Sequence, residues 1–132
     1  MKLITKNTDY ALRALIFLGH NDGEFISSRL ISEEEKIPLQ FLRGILRKLI
    51  NHGLVVAKEG VDGGVKLKSK LDTIYFSDVI RIFQGNIQLA ECMFRKRICQ
   101  KMAKCILRKR IRQIQDKLAH EFDNINLKSL LK

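Results

Sequence analysis

The sequence predicts a mainly α fold with a small β wing, a winged helix-turn-helix followed by a long C-terminal dimerisation helix. Three observations predict it. Two short helical stretches are separated by Ile37-Pro38, a glycine-rich hairpin follows them directly, and a long amphipathic stretch with a narrow apolar stripe comes near the end. With 132 residues and 45% hydrophobic content, the chain is long enough for one modest core and an appendage. The expected division is residues 1–90 as the DNA-binding unit, 91–105 as a cysteine loop, and 106–132 as the dimer helix and tail.

The first helix is expected from about Thr8 to His20, with Leu12, Leu15 and Ile16 at helical spacing and Asn7 or Thr8 as N-cap. Asp9, in its first turn, suits the positive end of a helix dipole. Asn21-Asp22-Gly23 makes the turn to a short helix over Ser28 to Lys36, with Ser27 or Ser28 capping it and Leu30 and Ile31 facing inward. Pro38 fits the first position of the third helix, which runs to Asn51. Its faces separate. Leu42, Ile45, Leu46 and Leu49 form the buried stripe, while Gln40, Arg43, Arg47 and Asn51 lie opposite. Gly53 is placed to end the helix in a left-handed conformation.

Leu54–Ala57 and Val65–Lys68 read as two strands. Between them Asp62-Gly63-Gly64 supplies the positive φ angles of a tight hairpin. A hairpin directly after a helix-turn-helix is a wing, and its small tip suits close approach to a phosphate backbone or entry into a minor groove. Ile74-Tyr75-Phe76 reads as a brief strand, and Ser77 as the cap of a helix that Gly85 ends and that packs on the first.

The three cysteines, Cys92, Cys99 and Cys105, follow, separated by six and five residues. One helix cannot gather them: Cys105 would point about 120° away from Cys99. If the sulfurs meet, the segment folds back around what they hold. Thiolates suit zinc and iron–sulfur clusters. Arg95, Lys96, Arg97, Lys101 and Lys104 interleave them and offset the charge of a thiolate-bound cluster. The plainer alternative is three unrelated cysteines in a basic loop, since neither interval is a CxxC pair.

The last helix is expected from about Ile106 to Phe122, with Ile111, Ile114, Leu118, Phe122 and Ile125 forming a stripe that suits a seam with a second copy. Leu127, Leu130 and Leu131 of the tail are available to dock.

The net charge of +11 points to a polyanionic partner, nucleic acid ahead of membrane. No apolar run reaches a membrane-spanning length, and the first fifteen residues, with Lys, Asn, Asp and Arg among the apolar positions, do not read as a signal peptide, so a cytoplasmic protein is expected. His20, His52 and His120 have no paired acid in sequence reach and no phosphate-binding glycine loop is present, so an enzyme is not expected.

The ordered set of Thr8-Asp9-Tyr10-Ala11-Leu12-Arg13-Ala14-Leu15, Ile37-Pro38, Phe41-Leu42, Ile45-Leu46-Arg47-Lys48-Leu49, Gly53-Leu54-Val55, Gly60-Val61-Asp62-Gly63-Gly64 and the three cysteines ahead of a long helix resembles a known family. It is that of the bacterial winged-helix regulators of the iron–sulfur cluster regulator and nitric-oxide-sensing repressor type. The resemblance implies a homodimer on near-palindromic operators of double-stranded DNA, with long helices crossing at the dimer interface. It implies that Cys92, Cys99 and Cys105 ligate a 2Fe–2S or 4Fe–4S cluster whose state sets DNA affinity, and that nitric oxide, oxygen or cluster status is the signal. Some relatives lack cysteines or use them for thiol chemistry.

Departures from the family pattern bear on the site. Arg108 stands where one branch has a histidine ligand, and a protonated guanidinium cannot bind a metal. Asp9 stands where another branch supplies a carboxylate from the partner subunit, which makes it the candidate fourth ligand; a small thiol, water or an open iron would serve equally. In the expected complex Arg43 and Gln40 read base edges, Arg47, Lys48 and Lys58 hold phosphates, Phe41 touches a thymine methyl or packs, and Gly63 and Gly64 bring the wing to the backbone. The alternatives are the same fold with a zinc site or a disulfide switch, and a basic RNA-binding module with no operator preference.

Overall fold

A computed structural model describes residues 2–90 and 105–131; Cys92, Cys99 and most of the predicted cysteine loop lie outside the described residues. In chain order the described elements are α1 (Lys6–His20), α2 (Ser28–Glu35), α3 (Leu39–Asn51), β1 (Val55–Lys58), β2 (Gly64–Leu67), a 3-10 turn (Leu71–Thr73), α4 (Phe76–Gln84), α5 (Ile106–Asp123) and a second 3-10 turn (Leu127–Leu130).

Helix α1 begins earlier than its apolar spacing suggests. Thr5 is the N-cap, its hydroxyl accepting the Thr8 N–H at 3.3 Å, which corrects the expected cap at Asn7 or Thr8. Thr8 is instead fully buried, and its hydroxyl donates to Gln84 Oε1 at 2.7 Å. Gln84 also accepts the Thr5 N–H at 3.0 Å, so the end of α4 is fastened to the start of α1. A hydroxyl taken out of water needs such a partner.

Ser27 caps α2, accepting the Leu30 N–H at 3.1 Å. Of the two residues expected to face inward, Ile31 is fully buried but Leu30 stays exposed, because a helix of eight residues presents only one apolar row to the core. Lys36 ends α2 in the left-handed region at φ 53°. Pro38 is the N-cap of α3 rather than its first helical residue. The stripe Leu42, Ile45, Leu46 and Leu49 is buried as read from the sequence and packs against α1.

Strands β1 and β2 pair antiparallel in the register Val55↔Leu67 to Lys58↔Gly64. Ile26 adds a third rung, exchanging two 2.8 Å hydrogen bonds with Val65. Gly64 permits this close approach, and Gly63 permits the tight turn of the hairpin. A Cβ on Gly64, at φ 153°, would run into the Ile26 carbonyl, and one on Gly63 would run into the Lys58 carbonyl. Both serve the internal packing of the wing.

Helix α4 starts one residue before the expected cap. Tyr75 is the N-cap, Asp78 accepts the Tyr75 N–H at 2.9 Å, and Ser77 is buried inside the helix. The brief strand at Ile74–Phe76 finds its partner in the tail. Phe76 N–H donates to Ile125 O and Leu127 N–H to Ile74 O, each at 2.8 Å. Leu127 is fully buried beside Leu15, Leu18 and Ile74 in one core. Burying that side chain stabilises by about 1.5–3 kcal/mol. The tail is thus part of the N-terminal core.

Candidate nucleic-acid interface

The site is built on α3 because its inner face is fully committed. With four aliphatic side chains sunk against α1, the helix cannot rotate without exposing them. Gln40, Phe41, Arg43, Gly44, Arg47 and Lys48 therefore all emerge outward, each exposed, and Phe41 is 59% exposed.

The turn before α3 is braced from two sides. Ser32 Oγ donates to the Ile37 carbonyl at 2.5 Å, and the Ile37 N–H donates to Ser32 O at 3.1 Å. Arg13 reaches from α1 to donate to the Glu35 carbonyl and, at 3.5 Å, to the Glu35 carboxylate. Its guanidinium also lies 5.6 Å from the Tyr10 ring centre and 3.3 Å from the Asp9 carboxylate. Arg13 thereby ties α1 to the end of α2, a role that sequence spacing did not reveal.

Not every outward cation on α3 is free. Lys48 donates to the Ile82 carbonyl at 3.3 Å and lies 5.4 Å from the Phe83 ring centre, so it also ties α3 to the end of α4. Arg43 and Arg47 form no ion pair among the described residues. On the wing, Lys58 and Lys66 stand 5.6 and 4.7 Å from the ring centre of Phe25. Phe25 and Lys66 were not singled out from sequence; the only available hint was the apolar–cationic alternation along the second strand. The wing tip carries Glu59 and Asp62 around Val61, which is fully exposed.

Of the cysteines of the other predicted site, only Cys105 is among the described residues, at the start of α5. Cys105 is its N-cap, half-buried, with Sγ accepting the Arg108 N–H at 3.5 Å. A sulfur held against a helix N-terminus faces the positive end of the dipole, which fits a thiolate ligand. Arg108 is partly buried, and its Nε has no hydrogen-bond partner among the described residues. Asp9 is exposed on α1 and paired with Arg13. Among the described residues no three potential ligands come together around one point.

Helix α5 is anchored at its C-terminal end. Phe122 stacks on Phe76 with ring centres 4.9 Å apart, and Arg81 of α4 donates to Asp123 at 3.0 Å. The Ser77 hydroxyl beside it and the Arg81 guanidinium hold the Asp123 carboxyl below its ordinary range. Phe122 is therefore partnered inside its own chain. Ile111 and Leu118 are half-buried, whereas Ile106, Leu107 and Ile114 are 78%, 67% and 59% exposed. No described helix is long and apolar enough to cross a membrane.

The model of the Rrf2 family, described as iron-dependent transcriptional regulator, matches residues 4–132. The chain belongs to the Rrf2 family. It is 37% identical over 90 residues to the HTH-type transcriptional regulator NsrR of Oceanobacillus iheyensis, a match covering 67% of this chain and 61% of that protein. The NsrR of Bacillus licheniformis is 34% identical over 93 residues, covering 70% and 64%. The chain thus spans somewhat under two thirds of the length of these curated relatives in the matched stretch. Among solved structures, IscR of T. potens superposes with a TM-score of 0.78 at 19% identity, covering 98% of this chain and 85% of that one, a likeness of fold. The oxidized form of Staphylococcus aureus CymR superposes with a TM-score of 0.78 at 25% identity, covering 100% and 97%. These relatives are regulators, not enzymes, and the winged-helix fold read from the sequence is the fold found.

Proposed function

We propose that this Rrf2 protein is a homodimeric, sequence-specific DNA-binding repressor whose operator affinity is set by an iron–sulfur cluster. The observation that carries the DNA-binding part is the outward face of α3. Gln40, Arg43 and Arg47 stand exposed on a helix whose opposite face is wholly buried. A rigid helix with amide and guanidinium groups on its free side fits a major groove, with Gln40 and Arg43 on base edges and Arg47, Lys48 and Lys58 on phosphates.

The exposed Ile106, Leu107 and Ile114 support a homodimer, since a row of apolar side chains left in water is stabilised by a second copy. The seam would run along Ile111, Ile114 and Leu118, with Phe122 closing its end against Phe76. Cys92, Cys99 and Cys105 would hold the cluster, with Asp9 of the partner subunit as candidate fourth ligand. The cluster would supply a group that gains or loses electrons and ligands in response to nitric oxide, oxygen or iron status. This chain's own contribution is mechanical. Cys105 caps α5, and α5 is tied to α4 by Arg81–Asp123, so a change at Cys105 reaches the winged domain through one helix.

An ultraviolet–visible spectrum of protein purified without oxygen, with iron and sulfide assayed on the same sample, tests the cluster. Operator affinity of cluster-loaded and cluster-free protein at one salt concentration tests the coupling, and equal affinities would sink it. A second reading, a thiol switch without a cluster, is favoured by the likeness to CymR in its oxidized form. Colourless protein after reconstitution, with affinity changed by a thiol oxidant, would select it.

A further inference from the structure

The eight glycines of the chain divide by what requires them. Gly23, Gly53, Gly60, Gly64 and Gly85 have positive φ, from 76° to 153°. A Cβ on Gly19 would strike Leu71, and one on Gly63 the Lys58 carbonyl. Gly44 alone has neither reason. It sits inside α3 with ordinary helical backbone, and a Cβ there would meet nothing within 4 Å among the described residues. Glycine in a helix interior is less favourable than alanine, so the fold gains nothing from it. Nothing among the described residues supplies a reason for Gly44, which points to whatever covers that face.

Gly44 lies on the outward arc of α3, one turn beyond Gln40 and one turn before Lys48. Beside it Asn7, Gln40, Phe41, Ile45, Lys48 and Phe83 line an open groove of about 290 Å³. Two exposed aromatic or aliphatic walls, Phe41 and the stem of Lys48, flank a position with no side chain. A notch walled on one side by the Phe41 ring, in an otherwise polar recognition face, matches the one apolar group on the major-groove edge of DNA, the thymine C5-methyl.

We infer that Gly44 is a specificity-determining residue, at which the α3 backbone approaches a base step closely and, with Phe41, seats a thymine methyl. This rests on the DNA-binding reading above. Glycine permits the approach because a Cβ would hold the helix away from the base edge.

The test begins with duplexes selected from a random pool by the wild-type protein. Replacing each thymine of the selected site by deoxyuridine is expected to reveal one position per half-site where removing the methyl weakens binding about fourfold. Gly44→Ala is expected to weaken binding to the selected duplex about tenfold and Gly44→Leu more than about a hundredfold. Both variants should keep the helical circular dichroism and a Tm at or above that of the wild type. In Gly44→Ala the uracil effect should vanish. Wild-type affinity in Gly44→Leu overturns the inference, and lost affinity without any uracil-sensitive position overturns the methyl assignment. A wild-type protein that enriches no sequence overturns the DNA-binding reading itself, and this inference with it.

Discussion

Helices α3 and α5 are both amphipathic and both basic, yet they are satisfied in opposite ways. In α3 the four-residue apolar stripe is buried completely within the chain, and the polar face is left over. In α5 no residue is fully buried, and the apolar row is left over. A helix whose hydrophobic face is already covered has only hydrogen-bonding and charged groups to offer, which suits nucleic acid. A helix whose hydrophobic face is open gains from an apolar partner, which suits a second copy of itself. Amphipathicity alone does not separate these cases; burial does.

That contrast is broken most sharply by removing one side chain from each stripe. Leu49→Ala should cost about 2–5 kcal/mol of folding stability, read by urea or thermal unfolding, because it leaves a cavity under α3. Ile114→Asp should leave the unfolding of a single chain nearly unchanged and weaken self-association at least about a hundredfold, a shift of about 2.7 kcal/mol, read by sedimentation equilibrium. A large stability loss in the second variant would mean that α5 packs on its own domain along the whole stripe.

The polar face of α3 gives the next effect. Arg43→Ala should lose about 1–3 kcal/mol of discrimination at one base pair of a selected site while leaving the unfolding curve in place. A loss spread evenly over all sequences would make Arg43 a phosphate contact. Arg47→Ala should instead lower affinity uniformly and flatten the salt dependence by about one counterion.

The smallest effect concerns how α5 is held. The Asp123 carboxyl is held below its ordinary range by the Ser77 hydroxyl and Arg81. The folded state therefore favours the ionised form, and this stabilisation is present above the aspartate value of the unfolded chain and lost as pH falls through the lower folded value. Asp123→Asn should lower the Tm slightly near neutral pH, and the gap to the wild type should close as the medium is made acidic. A gap independent of pH would assign the effect to packing rather than charge.

How much was legible beforehand follows the range of the interactions. The α3 stripe, the wing and the long last helix depend on repeats of three to four or two residues, which one short stretch displays in full. Leu30 was misjudged because an eight-residue helix has too few apolar residues to mark its inner face. Ser77 was misread as a cap because serine favours that place locally, while here it is buried against α5. Of the cysteine site, Cys105 alone lies among the described residues, and its place as the cap of α5 was not foreseen.

By itself the sequence determined the element order, the inner and outer faces of α3, the hairpin after it, the excess positive charge and the family. Each is written in local periodicity, composition or an ordered run of residues. Tertiary structure alone decided three other matters. It paired Ile74–Phe76 with the tail at Ile125–Leu127, across some fifty residues. It drew Thr8 and Gln84 together to lock α4 onto α1. It covered Phe122 with Phe76 while leaving Ile114 open. No local pattern encodes such pairings, because a side chain's partner is fixed by where the rest of the chain lies when the core closes.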